Sequence, residues 1–149
     1  MKTCSRCGET KSLDEFRKRR KGEDRYLSHC KTCIAAHRKR RYNEDEKFRQ
    51  RCKTLANESY WRARRELISA YGGRCACCGE SEHKFLSVDH VDGGGRDHRK
   101  VIGDGGKALC NYLRKMGYPQ EGFQLLCFNC NCAKGFFGEC PHQTARHSG

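Results

Sequence analysis

No long apolar run occurs in this chain, and none follows the opening Met1-Lys2-Thr3-Cys4. A membrane span needs roughly 20 consecutive apolar residues and a secretory leader needs a shorter apolar block, so neither is expected. The expectation is an intracellular, cytoplasmic protein with no membrane partner. Proline is scarce, at two residues, and neither proline nor glycine occurs between Ala35 and Tyr71. Nothing in that stretch breaks a helix. Acidic residues are also few, 18 against 31 Lys plus Arg, which gives a formal charge of +13 and a pI near 9.3. That balance argues against a basic partner and for a polyanion.

Cysteine is abundant, with thirteen among 149 residues. Domains this small seldom bury enough apolar surface to fold unaided, so a staple is expected. In a reducing compartment, repeated Cys-x-x-Cys pairs point to thiolate-bound zinc before disulfides. The first pairs are Cys4 and Cys7 with Cys30 and Cys33, a spacing close to that of four-cysteine zinc sites. They predict a zinc-ribbon-like knuckle over residues 1–40. Between them, Ser12-Leu13-Asp14-Glu15 reads as a capping box that starts a short helix. His29 and His37 flank the second pair and read as phosphate-facing, since four cysteines already satisfy an ion. Basic runs adjoin these motifs, Arg17-Lys18-Arg19-Arg20-Lys21 and Arg38-Lys39-Arg40-Arg41, which suits contacts to nucleic-acid phosphates.

Phe48, Cys52, Leu55, Ser59, Ala63, Leu67 and Ala70 or Tyr71 recur at helical steps. They predict a connecting helix over 41–72, ended by Gly72-Gly73. Cys52 reads as a small packing residue, and Trp61 as an anchor onto the domain beyond the helix. Past the double glycine, strands are expected at 85–89 and 123–127. Between them come the glycine loop Gly93-Gly94-Gly95 and a helix at about 107–116, with Gly117 as its cap and Cys110 packing on it. A short helix follows from Asn129, and a polar tail from 140 to 149. Apart from the cysteine pairs, no internal repeat is evident.

The second metal set is Cys75 and Cys78 with Cys127 and Cys130. Between its pairs lies Val88-Asp89-His90, and Asn131 follows the last ligand. A hydrolysed phosphodiester needs an activated water and stabilisation of the developing charge. His90 suits a general base near neutral pH, while Asp89 and the amide oxygen of Asn131 are hard ligands of the kind magnesium takes. Neighbours on a flat strand point to opposite faces, so Asp89 and His90 converge only if the strand bends near Asp92-Gly93-Gly94-Gly95.

These residues, with Leu126-Cys127-Phe128-Asn129-Cys130-Asn131 and Ala133-Lys134-Gly135, resemble the HNH, or His-Me finger, endonucleases, especially the recombination endonuclease VII-like branch, over about 68–138. The resemblance implies a small α+β, zinc-stabilised fold. A ββα-metal finger over 73–139 would follow the zinc-ribbon-like knuckle and the long helix. It also implies one zinc pinning the hairpin, so two structural zinc ions in all, and a separate Mg²⁺ or Mn²⁺ held by Asp89 and Asn131 with His90 as base. Duplex or branched DNA would be the partner, a homodimer is possible by analogy, and a phage origin would place the protein in the host cytoplasm.

The chain departs from that pattern in its longer stretch between Cys78 and Cys130 and in Cys77 and Cys132, which offer alternative thiolates. His98, with Arg96 and Arg99, reads either as a contact to the scissile phosphate or catalytic ion, or as an exposed loop histidine. Cys140 and His142 make only two candidate ligands and read as packing or chance. The rival class is a zinc protein that binds DNA or RNA without cutting it. A RING-like adaptor fits worse, because its ligand order would be interleaved and its charge lower.

Overall fold

In a computed structural model the structure describes residues 1–103 and 106–143, as two compact units, Met1–Leu55 and Ala56–Gly149. The expected segment 41–72 is therefore shared between units and is not one of its own. Among the described residues no helix is long and apolar enough to cross a membrane. The tail from 144 onward lies outside the described residues.

The first unit begins with β1 (Lys2–Thr3) and β2 (Thr10–Lys11), an antiparallel pair, and then β3 (Phe16–Lys18) and β4 (Tyr26–Cys30), another. The capping box does not start an α-helix. Ser12 makes no side-chain cap, and Leu13–Glu15 is a single 3-10 turn that runs straight into β3. The strand wins because Phe16 is needed opposite Cys30, where both are buried. Helix α1 (Lys31–Glu44) starts at Cys30, and α2 (Glu46–Ala70) follows it. The expected uninterrupted helix is thus two helices. Asp45 breaks the ladder in an extended conformation, and its Oδ1 accepts from the Phe48 amide at 2.9 Å. An aspartate that caps its own downstream turn ends one helix and begins the next without glycine or proline.

In the second unit α2 buries Ala63, Leu67 and Ile68. The apolar stripe does not stay covered along its length, since Leu55 is 54% exposed. Strand β5 (Leu86–His90) pairs antiparallel with β6 (Phe123–Cys127), and α5 (Phe128–Phe137) follows directly. Between the strands lie α3 (Gly95–Ile102) and α4 (Gly106–Lys115). Helix α3 was not expected. Its N-cap is glycine, and its only apolar side chains are Val101, which is 84% exposed, and Ile102, too few to mark a helix in the sequence. Gly117 ends α4 in the left-handed conformation, with the amide of Tyr118 returning to the Leu113 carbonyl. Leu86, Leu125 and Leu126 pack with Ile68 around buried cysteines, while Leu113 and Cys110 pack with Ala63 and Leu67.

Candidate metal centres and a histidine-lined cleft

Cys4, Cys7, Cys30 and Cys33 bring their sulfur atoms within 4.8 Å of one another. The first pair sits in a tight knuckle. The Cys4 amide donates to the Glu9 carbonyl, and the Gly8 amide, at φ +74°, returns to the Cys4 carbonyl. The second pair caps α1, with Cys30 as N-cap accepting from the Cys33 amide. Amides of Arg6 and Cys30 also point at the Cys4 sulfur, at 3.4 and 3.3 Å. Backbone donors from Cys7 and Cys30 pull the Cys4 thiol down to about 5, while the Cys30 sulfur beside it pushes Cys33 up to about 12. Clustered thiols that cannot all ionise alone are what a divalent cation relieves, and four sulfur donors suit zinc.

The second set, Cys75, Cys78, Cys127 and Cys130, is equally close. Its Cys78 and Cys127 sulfurs are 3.6 Å apart, near the roughly 3.8 Å edge of a tetrahedron with 2.3 Å zinc–sulfur bonds. Burial opposes ionisation of Cys75, but the amides of Cys78, Cys127 and Cys77 outweigh it and bring the thiol to about 7. Burial, then the Cys127 sulfur, pushes Cys130 up. Both expected sets are thus positioned to hold a metal ion.

A third group was not expected. Cys77, Cys130, Cys140 and His142 place their donor atoms within 4.8 Å of one another. Cys140 and His142, read from sequence as packing or chance, are joined by Cys77 and by a cysteine of the second set. Two ligands looked too few because Cys77 is far away in the chain and Cys130 already belonged to the second set. Cys132, the other alternative thiolate, is exposed and belongs to none of these groups.

His90 ends β5 half-buried in a cleft of about 280 Å³. Its Nε2 lies 2.7 Å from Nδ1 of His98, and its ring packs on Phe123 at 4.9 Å. His98 is therefore not a loop histidine. Helix α3 carries it to His90, and its ring also meets Tyr112 at 4.6 Å. The glycine run makes this approach possible. Gly93 and Gly94 adopt positive φ, and a Cβ at Gly95 would stand 3.0 Å from His90 Nδ1. Burial, then the His98 charge, pulls the His90 pKa down, against an opposing pull from Asp89.

Asn131, Ser87, Arg64 and Arg99 share the cleft wall, whereas Arg96 is exposed on α3 outside it. Ser87 donates to the Leu126 carbonyl at 3.2 Å, so its oxygen must accept from the Asn131 amide nitrogen, also at 3.2 Å. That chain fixes the amide and leaves its oxygen for another partner. Asp89 does not line the cleft. The pairing of β5 with β6 is regular through His90 opposite Phe123, without the anticipated bend, and Asp89 Oδ2 accepts from Lys134 at 2.6 Å and Gln124 at 2.9 Å. Lys134 also donates to the carbonyls of His90 and Val91, tying α5 to the end of β5.

Arg64 was missed from sequence. One nitrogen donates to the Leu86 carbonyl, and its buried Nε has no partner among the described residues. Its position three residues before Leu67, beside the buried stripe, was the available signal. The runs of basic residues at 17–21 and 38–41 are exposed, as are His29 and His37. No known protein family, curated protein or solved structure matches the chain.

Proposed function

We propose that the chain is a metal-dependent DNA endonuclease of the HNH type, with β5, β6 and α5 as its ββα-metal finger and His90 as general base. One observation carries this reading. A half-buried histidine, held by burial toward its neutral form, sits in a cleft with a second histidine, an amide of fixed orientation and two arginines. A neutral imidazole takes a proton from water, and His98 orients it through the short nitrogen–nitrogen contact. Arg64 and Arg99 offer charge to a phosphodiester oxygen. A single Mg²⁺ or Mn²⁺ would supply Lewis acidity and charge neutralisation at the phosphate. The free oxygen of Asn131 is the ligand on offer in the cleft. Oδ1 of Asp89 accepts no hydrogen bond among the described residues, but Asp89, outside the cleft and paired with Lys134, would have to turn toward it to share the ion. Both belong to hard donors of the kind such ions take. Arg38, Lys39, Arg40 and Arg41 supply sequence-independent affinity for duplex or branched DNA.

The competing reading, a zinc protein that binds nucleic acid without cutting, has one observation in its favour. Lys134 already neutralises Asp89. Plasmid cleavage separates the two. The parent should nick or linearise DNA only with Mg²⁺ or Mn²⁺, and His90→Ala should lose about 10²- to 10⁴-fold in rate at unchanged zinc content and DNA affinity. Asp89→Ala and Asn131→Ala should need more of the divalent ion, the latter mildly, because its ligand is uncharged. Parent-like cutting by His90→Ala with zinc retained would refute the mechanism.

A further inference from the structure

Three donors near the second thiolate set have no part in the histidine-lined cleft. Cys77 and Cys140 are buried, at 3% and 4% exposure, although free thiols gain nothing from one another there. Their positions follow from local chain geometry. Cys77 lies inside the knuckle between Cys75 and Cys78. After α5, Gly138 at φ +84° reverses the chain, and a turn closed by the Gln143 amide on the Cys140 carbonyl brings round His142. The His142 Nδ1 then stands 3.4 Å from the Cys130 sulfur and 3.5 Å from the Cys140 sulfur. Around a tetrahedral zinc with bonds of about 2.3 Å to sulfur and 2.0–2.1 Å to nitrogen, a sulfur–nitrogen edge is about 3.5 Å. His142 is exposed, so its ring closes the group from the solvent side.

Cys130, wholly buried in the first turn of α5, belongs to both groups. If it served only the first ion, Cys77, Cys140 and His142 would form a three-donor cradle short of its fourth ligand. If it served only the second, Cys75, Cys78 and Cys127 would be left short. A thiolate has lone pairs enough for two ions, and sharing it completes both tetrahedra with the donors present.

We propose that the second unit holds a binuclear zinc centre, in which the Cys130 sulfur bridges one ion on Cys75, Cys78 and Cys127 to another on Cys77, Cys140 and His142. Loading the second ion onto the singly occupied site displaces the protons of Cys77 and Cys140 and takes His142 as neutral imidazole, so two protons leave and no electrons move. The centre ties the chain after α5 back to the knuckle before β5. This inference stands apart from the nuclease reading, and its test involves no cutting.

Native mass spectrometry and elemental analysis of the full chain, purified under reducing conditions, should give three zinc ions, one in the first unit and two in the second. Replacement by ¹¹³Cd should give three resonances, two of which show scalar coupling through the shared sulfur. Cys77→Ser should retain two ions and lose the coupling. In case that buried change prevents folding, the exposed His142→Ala provides a second route, and its third ion should pass to a chelator at least tenfold faster than the parent's. Two ions in the parent, three resonances without coupling, or parent-like retention of a third ion by His142→Ala would each overturn the proposal.

Discussion

The two units are built on one plan. In each, a Cys-x-x-Cys-Gly-Glu knuckle is closed by the same two backbone bonds, from the first cysteine amide to the glutamate carbonyl and from the glycine amide to that cysteine's carbonyl. A short antiparallel pair follows, and its second strand ends on a cysteine that caps a helix, at φ −69° and ψ 161° for Cys30 and φ −70° and ψ 160° for Cys127. Opposite that cysteine stands one buried apolar residue, Phe16 in the first unit and Leu86 in the second. The expectation of no repeat beyond the cysteine pairs is corrected. Counting on from Phe16 and Leu86, the places of Asp89 and His90 fall to Arg19 and Arg20, and counting from the capping cysteine that of Asn131 falls to Ile34. The plan itself is a frame whose cysteines are positioned to hold a metal ion. What distinguishes the second unit is added to it: the inserted α3 with His98, and the polar residues on β5 and α5.

The units also differ in what would remain without metal. The buried core of the first is Cys4, Phe16 and Cys30, two of them positioned to hold a metal ion, whereas the second has Ala63, Leu67, Cys110 and Leu113 packed apart from its cysteine clusters. Structural zinc in small metallodomains supplies about 10–16 kcal/mol of apparent folding free energy, more than so small a core replaces. The largest expected effect is therefore from Cys4→Ser, which should erase hydrogen-exchange protection throughout β1–β4. Cys75→Ser should expose the knuckle and the β5–β6 hairpin yet leave protection in α4 and the last turns of α2. Equal loss in both variants would break the comparison. Next in size, Leu113→Ala should cost about 2–5 kcal/mol in urea unfolding of the second unit, because it empties a site with no exposure. The first unit's zinc affinity should not change.

Much of the fold could be read in the sequence because cysteine spacing and glycine caps act locally. Both four-thiolate sets, β5, β6 and α4 came from such signals within a residue or two. Misses arose where a distant partner decided the outcome. Phe16 is strand and not helix because Cys30 lies across from it, and Cys140 and His142 become a cluster only when Cys77 and Cys130 arrive from elsewhere in the chain. Asp45 divided a helix by its side chain, which no propensity scale for backbone breakers registers. In the cleft, His90 and Asn131 were legible by resemblance, but the pairing with His98 depended on α3, and Lys134 holding Asp89 on a contact between α5 and β5.

A smaller effect sharpens the contrast in charge. Replacing Arg38, Lys39, Arg40 and Arg41 by glutamine should flatten the dependence of DNA affinity on salt, since each phosphate neutralised contributes about 0.9 to the logarithmic slope. The four are not equivalent. Arg40 and Arg41 already face Glu44 and Asp45 at 3.8 and 3.2 Å, so the slope should fall by nearer two contacts than four. Measured binding isotherms across salt concentrations check this, and an unchanged slope would move the phosphate-binding surface away from α1.

The smallest effect concerns the α1–α2 junction, which belongs to the first unit. The Phe48 amide, then the Arg41 guanidinium, hold the Asp45 carboxyl below its usual range, so it is fully ionised at neutral pH. Its Oδ1 caps α2 while Oδ2 takes Arg41. Asp45→Asn keeps an acceptor for the Phe48 amide and removes the charge, whereas Asp45→Ala removes both. If the cap divides the helices, hydrogen exchange at Phe48 should quicken clearly in the alanine variant and only slightly in the asparagine one, with zinc content and β1–β4 protection unchanged. If the charge pair with Arg41 does the dividing, the two variants should exchange alike. If neither matters, α1 and α2 should merge in the alanine variant, with slower exchange across residues 44–49, and the junction would then owe nothing to the Asp45 side chain.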